Sequence, residues 1–414
     1  MSVHFWLITG EIMEYEIRIY NTIESLGESK WQLLYQKNSL YLSYEWLRSV
    51  EGMLTSDTFY VTAWSKHTKK ILAGIPCYLV KNHETYSFFN MARLLTEDLG
   101  LIDFENVIAN EKREQLDEYM KTLSISRDEL YPCLICVSPF GYTSSIGINK
   151  SEGHQKEELF RAIIDAFNVL SDSYKASNQA FLYVDKPDES SLVQLLKMEG
   201  YLEWCMAAEC TIPIFWKSFN EYIEHLPKKR RDNVKRELRV FREKGYKIDI
   251  VGAESLTKEL VPLQAQVHRK YGHRGNYDRI QRGFEQIKKY LGKYVRVFLI
   301  RDNSAVLGFA LFYEMNDIYY CKQVGFDYAK LDDDFSYFNC AFYKPISEAI
   351  FTGKRAISYG IGAYSAKVRR GGQLSPLYGY LKCKSDISDY LSLINPILTL
   401  QDEAHHTYYS KFSS

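Results

Sequence analysis

The chain has 414 residues, of which 46% are hydrophobic and 25% are charged, and its 52 basic residues balance 52 acidic ones. This composition is that of a globular protein and excludes one that binds nucleic acid through its overall charge, so any site for an anionic ligand must be local. The length suits two domains, and no run of 18 apolar residues predicts a membrane span.

In chain order, the same pattern of elements occurs twice: two or three strands joined by polar turns, then a helix, then one further strand. The first copy comprises residues 58–82, 154–172 and 180–185, and the second comprises 293–326, 336–353 and 355–360. The pattern predicts an α+β fold of two tandem domains, each a mixed, mostly antiparallel sheet flanked by helices. We place the domains at 1–212 and 213–414.

A basic helix is predicted over residues 228–244 of the second domain. From Lys228 to Lys247 the chain carries ten basic and three acidic residues, a local net charge of +7. Val234, Leu238 and Phe241 follow helical spacing and predict the face toward the core. The basic residues are either a solvated face or a contact for an anionic ligand. Those predicted to contact a phosphate-bearing donor are Arg231, Lys235 and Arg239.

The stretch YGIGAYSAKVRRGG, residues 359–372, combines four glycines with three basic residues. The glycines permit a tight turn and a close approach of a ligand to the backbone. We expect Lys367 to project near the mouth of a cleft, with Arg369 and Arg370 beside it. The alternative is a glycine-rich hairpin whose basic residues are merely exposed.

Several stretches together resemble a known family. They are WQLLYQKNSLYLSYEWLRSVE (31–51), SPFGYTSSIG (138–147), LPKKRRDNVKRELRVFREKGYKI (226–248) and the segments 319–353 and 358–380. In their order and spacing they resemble the FemAB-like branch of the GNAT N-acyltransferases, which are peptidoglycan biosynthesis or recognition proteins. The resemblance implies two GNAT-like domains and transfer of an acyl or aminoacyl group to an amine. In FemX-type members the donor is an aminoacyl-tRNA and the acceptor is a cell-wall precursor.

The segment QVGFDYAKLDDDFS, residues 323–336, departs from the glycine-rich turn with which acetyl-CoA enzymes bind pyrophosphate. Gln323 and Gly325 remain of that turn, and Gln323 is retained as a donor contact. Four aspartates follow and would repel a pyrophosphate; they are Asp327, Asp332, Asp333 and Asp334. We expect no bound cofactor, and the donor stays open between aminoacyl-tRNA and an acyl thioester of coenzyme A or a carrier protein.

Amide formation by a neutral amine requires loss of its proton, a stabilised oxyanion and a protonated leaving group. The resemblance makes Lys367 the first choice for a phosphate or carbonyl contact. Glu314 and Asp327, at strand ends, are the candidate general bases, and Tyr364 is a candidate proton donor. The predicted acceptor pocket consists of Tyr271, His273, Tyr319, Tyr337 and Asn339. No covalent nucleophile is predicted.

The leading hypothesis is therefore an N-acyltransferase that acts on a cell-wall precursor, a peptide or a small amine, with tRNA as one candidate partner. The alternative is a catalytically inactive module of the same fold that recognises a glycan or a nucleotide-sugar. Cys133 and Cys136 lie three apart in a strand-like run and therefore face opposite sides, so no metal site is predicted. Unpaired cysteines favour a cytoplasmic location, and two fused domains favour a monomer.

Overall fold

The computed structural model describes residues 4–5, 15–35, 39–51, 53, 56–83, 86–152, 155–185, 191–272, 274–303, 305–331, 334–384 and 388–412. Contacts divide the chain into two compact units: unit 1 comprises Met1–Ala208 and Pro376–Ser414, and unit 2 comprises Glu209–Ser375. The sequence prediction assigned residues 213–414 to the second domain. In the structure the last 39 residues, Pro376–Ser414, pack with unit 1 instead.

The strands are, in chain order, β1 (His4–Phe5), β2 (Tyr15–Tyr20), β3 (Asp57–Ser65), β4 (Ile71–Val80), β5 (Cys133–Cys136), β6 (Gly147–Ile148), β7 (Asn178–Asp185), β8 (Leu202–Pro213), β9 (Lys247–Val251), β10 (Val295–Asp302), β11 (Ala305–Met315), β12 (Ile318–Phe326), β13 (Ala356–Ser358) and β14 (Gln373–Cys383). The chain passes from unit 1 to unit 2 within β8 and returns within β14.

The helices are α1 (Ile23–Leu26), α2 (Glu28–Leu34), α3 (Tyr44–Glu51), α4 (Met91–Thr96), α5 (Asn110–Ile125), α6 (Lys156–Ser173), α7 (Ser191–Met198), α8 (Phe219–His225), α9 (Lys228–Glu243), α10 (Val261–Lys270), α11 (Tyr277–Leu291), α12 (Ser336–Phe338), α13 (Lys344–Phe351), α14 (Tyr364–Val368) and α15 (Ser388–Ser410). A π-helical stretch, Asn339–Tyr343, joins α12 to α13. Pi-helical insertions of this kind are frequent near functional sites.

The sheet of unit 1 has the strand order β1-β2-β3-β4-β5-β7-β14, with β6 on β4. All its neighbours are antiparallel except β5 and β7, which are parallel and connected through α6. The side chains of α6 that follow helical spacing, among them Leu159, Ile163 and Phe167, are buried against β3 and β4. Burial of this apolar face is the main stabilisation of the unit.

The sheet of unit 2 has the order β8-β13-β12-β11-β10-β9, in which β8 contributes its last residues. Here too one pair is parallel, β12 with β13, and the segment from α12 to α13 connects its two strands. Helix α10 lies against β12. Gly325 of β12 allows this approach, because a Cβ atom there would lie 2.7 Å from the backbone nitrogen of Gln264 and 2.3 Å from the ring of Phe309.

Both units therefore share one plan, an antiparallel meander followed by a helix and a parallel strand. The predicted α+β fold class with mixed sheets and flanking helices is confirmed. Among the described residues no helix is long and apolar enough to cross a bilayer. No group of three metal-binding side chains occurs among them either.

Candidate functional site

The strands β12 and β13 of unit 2 pair over three residues only and then separate. The last pair is Tyr320 with Ser358, after which β12 continues to Phe326 while β13 ends. Just past this point the register of β12 against β11 shifts: Cys321 faces Phe312 and Gln323 faces Leu311, so Lys322 is the extra residue of a β-bulge. Bulges interrupt pairing and redirect side chains, and they are over-represented beside active sites.

The segment after β13 forms a tight turn around a lysine. Gly360, Gly362 and Ala363 all have left-handed backbone conformations, with φ of 64°, 73° and 48°. The turn directs consecutive carbonyl groups inward. Nζ of Lys367 donates to the carbonyl oxygens of Tyr359, Gly360 and Ile361 at 2.7, 3.0 and 3.0 Å.

Lys367 is thus buried, only 6% exposed, and an ammonium group has three hydrogens to donate. The sequence prediction had this side chain projecting toward a ligand at the mouth of a cleft. In the structure its three donors are matched by backbone carbonyls that the glycine turn brings together. Burial lowers the pKa of Lys367, opposed by Cys210, Glu209 and Cys321. Its position is that of a residue that holds the turn.

A carboxylate from β8 lies beside this turn. The hydroxyl of Ser358 donates to Oε1 of Glu209 at 2.5 Å, and the backbone N–H of Gly360 donates to the same carboxylate. Burial raises the pKa of Glu209, although these hydrogen bonds and the charges of Lys367 and Lys322 oppose the rise. The carboxylate is therefore fixed in orientation at the point where β12 and β13 part.

Lys322, the bulged residue, is half-buried and belongs to the same cluster. Burial lowers the pKa of Lys322 to about 8; Glu209 and Cys321 raise it, and Lys367 lowers it further. A lysine of this kind exchanges a proton near neutral pH, as a surface lysine does not. Groups with perturbed pKa values that interact electrostatically where a sheet opens are candidates for acid–base chemistry.

The side chain of Gln323, the next residue, carries a buried amide oxygen with no hydrogen-bond partner in the described part of the chain. Unmatched buried acceptors are uncommon, and a ligand N–H or O–H group can satisfy this one. The sequence prediction assigned Gln323 to a phosphate contact. An amide oxygen accepts hydrogen bonds, so it suits a hydrogen-bond donor better than a phosphate oxygen.

A buried ion pair fixes Arg370. Its Nη2 donates to Oε2 of Glu237 in α9 at 2.8 Å, its Nε donates to the hydroxyl of Tyr343 at 3.1 Å, and its guanidinium lies 3.4 Å from the centroid of the Phe338 ring. The prediction that Arg370 contacts donor phosphates does not agree with this burial. Its neighbour Arg369 is exposed and stays a candidate for such a contact.

A family model described as FemAB-like, peptidoglycan biosynthesis/recognition, matches residues 117–387. The chain belongs to the FemAB-like family. Among solved structures it is similar to FemX, with a TM-score of 0.57 and 10% identity over 92% of this chain and 100% of that one. It is also similar to a tandem GNAT protein from the clavulanic acid biosynthesis pathway, with a TM-score of 0.50 and 9% identity over 89% and 98%.

No curated protein matches the chain. At these identities the two structural likenesses concern the fold, and they confirm the predicted tandem GNAT-like architecture. The resemblance drawn from the sequence motifs is confirmed by the family match. Residues must be assigned roles from the geometry of this FemAB-like chain itself.

The two predicted carboxylate bases of this FemAB-like protein lie at opposite ends of β12. Glu314 is paired in register with Tyr319 at the start of β12, and Asp327 follows its end, eight residues later, about 26 Å along an extended strand. They therefore cannot serve one reaction centre together. Glu314 is further held by Lys354 at 2.5 Å and Arg296 at 2.9 Å, which argues against a role as a base.

The predicted acceptor residues of the FemAB-like chain differ in burial, although Tyr271 acts electrostatically on Tyr337. Tyr319 is buried, with its hydroxyl 3.2 Å from that of Thr352, and Asn339 is buried and donates to the carbonyls of Phe335 and Glu237. Tyr271 and Tyr337 are exposed, at 69% and 37%. Tyr364, a predicted proton donor, is 1% exposed. His273 lies outside the described residues.

The basic helix is observed as α9, within one residue of its predicted end. Its buried residues are Val234, Glu237 and Phe241. The core-facing side predicted to consist of Val234, Leu238 and Phe241 therefore includes Glu237. Arg231 and Lys235 both bind the carboxylate of Glu224, at 2.8 and 3.3 Å. The exposed basic residues of the helix are Lys228, Lys229, Lys235, Arg236, Arg239 and Arg242.

The sequence interpretation missed Lys322 and Glu209. Each is a single charged residue inside an apolar strand, in YYCKQVGF and in CMAAECTIP. Charged residues are rarely buried unless they are paired. That rarity is the signal that could have identified both, although it does not reveal that they interact electrostatically.

Proposed function

We propose that this protein is an N-acyltransferase whose reaction centre lies in unit 2, where β12 separates from β13. The observation that carries the proposal is the opening itself: beyond Tyr320, β12 has no pair on the β13 side among the described strands, and the bulged Lys322 lies there. The lowered pKa of Lys322 and the raised pKa of Glu209 suit proton transfer and support the proposal. Membership of the FemAB-like family supports the reaction class. The amine attacks an activated ester or thioester, an amide forms, and an alcohol or a thiol leaves.

The open edge of β12 supplies the second requirement, a stabilised oxyanion. Beyond Tyr320, β12 pairs only with β11 among the described strands. Its other edge therefore presents backbone groups where a carbonyl substrate would lie, and fixed N–H groups stabilise a developing oxyanion strongly in a site shielded from water.

An aminoacyl-tRNA is the donor that the charges of unit 2 favour. In the loop after β12, where a nucleotide pyrophosphate would have to bind, Asp327 is half-buried. Asp334 is buried, and its Oδ1 already accepts the backbone N–H of Ser336 at 2.8 Å, so this N–H is not available to a phosphate. Asp332 and Asp333 lie outside the described residues. The exposed basic face of α9, by contrast, suits a phosphate backbone.

The proposed acceptor is an amine on a cell-wall precursor, in keeping with the family's description, and the proposed location is the cytoplasm, where charged tRNA is made. A peptide or a small amine fits the same chemistry.

The test is binding of bulk aminoacyl-tRNA across a salt series, with acetyl-coenzyme A in parallel. We expect binding to tRNA that weakens steeply with salt, and a Lys235→Glu, Arg239→Glu variant whose slope is smaller by about 2. The matched control reverses Lys288 and Lys289, two exposed lysines of α11. It has the same net charge change and should bind tRNA with the unaltered salt slope.

Transfer of a labelled amino acid to peptides that carry a free amine then completes the test. The absence of tRNA binding at low salt would contradict the tRNA donor and direct the search to thioesters. Binding of tRNA or glycans with no transfer from any donor would contradict the enzyme assignment, and would favour the alternative of a recognition module.

A further inference from the structure

The position of Lys322 requires an explanation beyond the fold. It is the extra residue of the β12 bulge, directly beyond the last pair of β12 with β13. Conversion of a regular strand residue into a bulge costs pairing, and a lysine at a half-buried strand position costs desolvation. The loss of strand pairing and the desolvation of a charge both occur at Lys322, which lies at the opening where the acyl group would bind.

Among the groups that act electrostatically on Lys322 are Glu209 from β8, Cys321 from β12 and Lys367 from α14. Glu209 is held by Ser358 and Gly360, and Lys367 is held by three carbonyls. Hydrogen bonds thus hold in place both the carboxylate and the ammonium group that act on Lys322. A fixed positive charge disfavours its protonation, and a fixed carboxylate stabilises the proton once it has arrived.

We infer that Lys322 is the general base of the transfer reaction, that Glu209 positions it, and that the acceptor is a primary aliphatic amine. The inference rests on the proposed acyl transfer. Lys322 thus takes the role that the sequence analysis gave to the carboxylates Glu314 and Asp327. Glu314 is neutralised by two cations. Asp327 follows the opposite end of β12 from Glu314.

In the proposed reaction, Lys322 carries one proton from the amine to the leaving group. The nitrogen lone pair of the amine forms a bond to the acyl carbon, and the carbonyl electrons move to oxygen. Neutral Nζ of Lys322 takes one proton from the positively charged nitrogen. The carbon–oxygen bond to the ribose of the donor, or the carbon–sulfur bond of a thioester, then breaks. The leaving group receives that proton from the Lys322 ammonium, so the lysine returns to its neutral state.

A lysine with a pKa of about 8 matches this task. A general base works best when its pKa is near the operating pH, and an aliphatic ammonium has a pKa close to that of an ordinary lysine, about 10.4. A carboxylate would be a far weaker base toward such an amine. The amide oxygen of Gln323, which has no partner among the described residues, can accept the remaining N–H of the amine.

The first experiment does not depend on activity. Trace labelling of the intact protein with acetic anhydride from pH 6 to 11, read by mass spectrometry, gives the pH at which each lysine becomes reactive. We expect half-reaction of Lys322 near pH 8, well below the value of about 10.4 for an ordinary lysine. Glu209→Gln should move the midpoint of Lys322 lower, since the carboxylate raises it. A midpoint of about 10.4, that of an ordinary lysine, would overturn the inference and leave the proposed function standing.

The second experiment measures transfer. Lys322→Arg keeps a long basic side chain but stays protonated at every working pH, so it cannot accept the proton and should lower kcat by at least about 100-fold with little change in KM for the donor. The acidic limb of the pH–rate profile near pH 8 should disappear. Lys289→Arg on α11 is the control and should retain the wild-type rate. If Lys322→Arg transfers at the wild-type rate, the base is another group; if the wild-type protein transfers nothing, the proposed function fails and the base role fails with it.

Discussion

Lys367 illustrates how a basic residue in a glycine-rich stretch can be structural. Three carbonyls of the turn at 359–361 converge on its ammonium, and the left-handed residues create that convergence. Without the lysine, the carbonyls of Tyr359 and Ile361 would lose the ammonium as a donor, while that of Gly360 would keep the backbone N–H of Cys210 at 3.1 Å. The charge therefore stabilises the backbone beside Glu209, and it also sets the electrostatic surroundings of Lys322.

Lys367→Met should destabilise unit 2 by about 3–5 kcal/mol, because it leaves buried carbonyls unsatisfied and removes a paired charge. Native-state hydrogen exchange of the β12 and β13 amides measures the change. Arg369→Met, two residues along and exposed, is the control and should alter the free energy of opening by less than about 0.5 kcal/mol. Equal effects of the two substitutions would mean that the turn does not depend on Lys367.

His405 of α15 is a buried histidine whose Nδ1 lies 2.8 Å from the hydroxyl of Tyr409. Burial, aided by the neighbouring His406, lowers the pKa of His405 to about 3. The unfolded chain binds the proton with a pKa of about 6.5. The folded state therefore binds fewer protons between these values, and stability is lost as the pH falls from 6.5 toward 3.

The predicted slope from this residue is about 1.4 kcal/mol per pH unit over that range. His405→Gln should remove it, and His67→Gln, at an exposed turn, should leave it in place. The measurement is the free energy of unfolding of unit 1 at several pH values, compared between variants so that the contributions of other groups cancel. Parallel pH profiles for the wild type and His405→Gln would contradict the prediction.

At the scale of elements, the pair of Glu237 and Arg370 connects α9 with the segment that follows α14. The hydroxyl of Tyr343, in the π-helical stretch, donates to the same carboxylate, and the Arg370 guanidinium stacks on Phe338. Three elements thus meet at one buried ion pair. The orientation of the basic helix depends on this pair as well as on its apolar face.

A double-mutant cycle tests this connection. Glu237→Gln and Arg370→Met should each cost about 3 kcal/mol, because each leaves a buried partner without its counterpart. The double variant should cost less than the sum by about 2 kcal/mol. Denaturant unfolding of the single and double variants checks this, with Arg239→Met as an exposed control on the same helix. Additive losses would show that the two residues act independently.

Much of the architecture was accessible from the sequence, because helices and strands follow local periodicity and turn chemistry. The basic helix, the repeated meander and the helix before β13 were predicted within a few residues. The candidate site was less accessible. Lys367 and Arg370 have the chemistry of phosphate ligands, and only the positions of distant partners, such as Glu237 more than 100 residues away, show that they are internally paired.

Lys322 was overlooked for the corresponding reason. Glu209 and Lys367, which act on it electrostatically, come from other parts of the chain, and its bulge arises from a register shift that no local pattern encodes. Sequence reasoning identifies residue types that are costly to bury. The distances between them, which decide their chemistry, follow from the tertiary fold.

At the scale of the whole molecule, the chain returns to its first unit after it has built the second. Helix α15 packs on α5 and α4: Lys112 contacts Glu403 at 2.5 Å, and Gln401 donates to the carbonyl of Leu94 at 3.2 Å. Ile394 and Ile397 are fully buried. Burial of such side chains stabilises by about 1.5–3 kcal/mol each, so the C-terminal helix is a substantial part of the stability of unit 1.

Deletion of residues 388–414 should therefore destabilise unit 1 selectively. Hydrogen exchange should show lost protection of the amides in α4 and α5, while β10, β11 and β12 of unit 2 keep theirs. Ile397→Ala gives a milder version that preserves the chain length, with an expected cost of about 2–5 kcal/mol in unit 1. Loss of protection in β10–β12 instead would mean that the C-terminal residues belong with the second domain, as the sequence prediction of a domain over residues 213–414 has it.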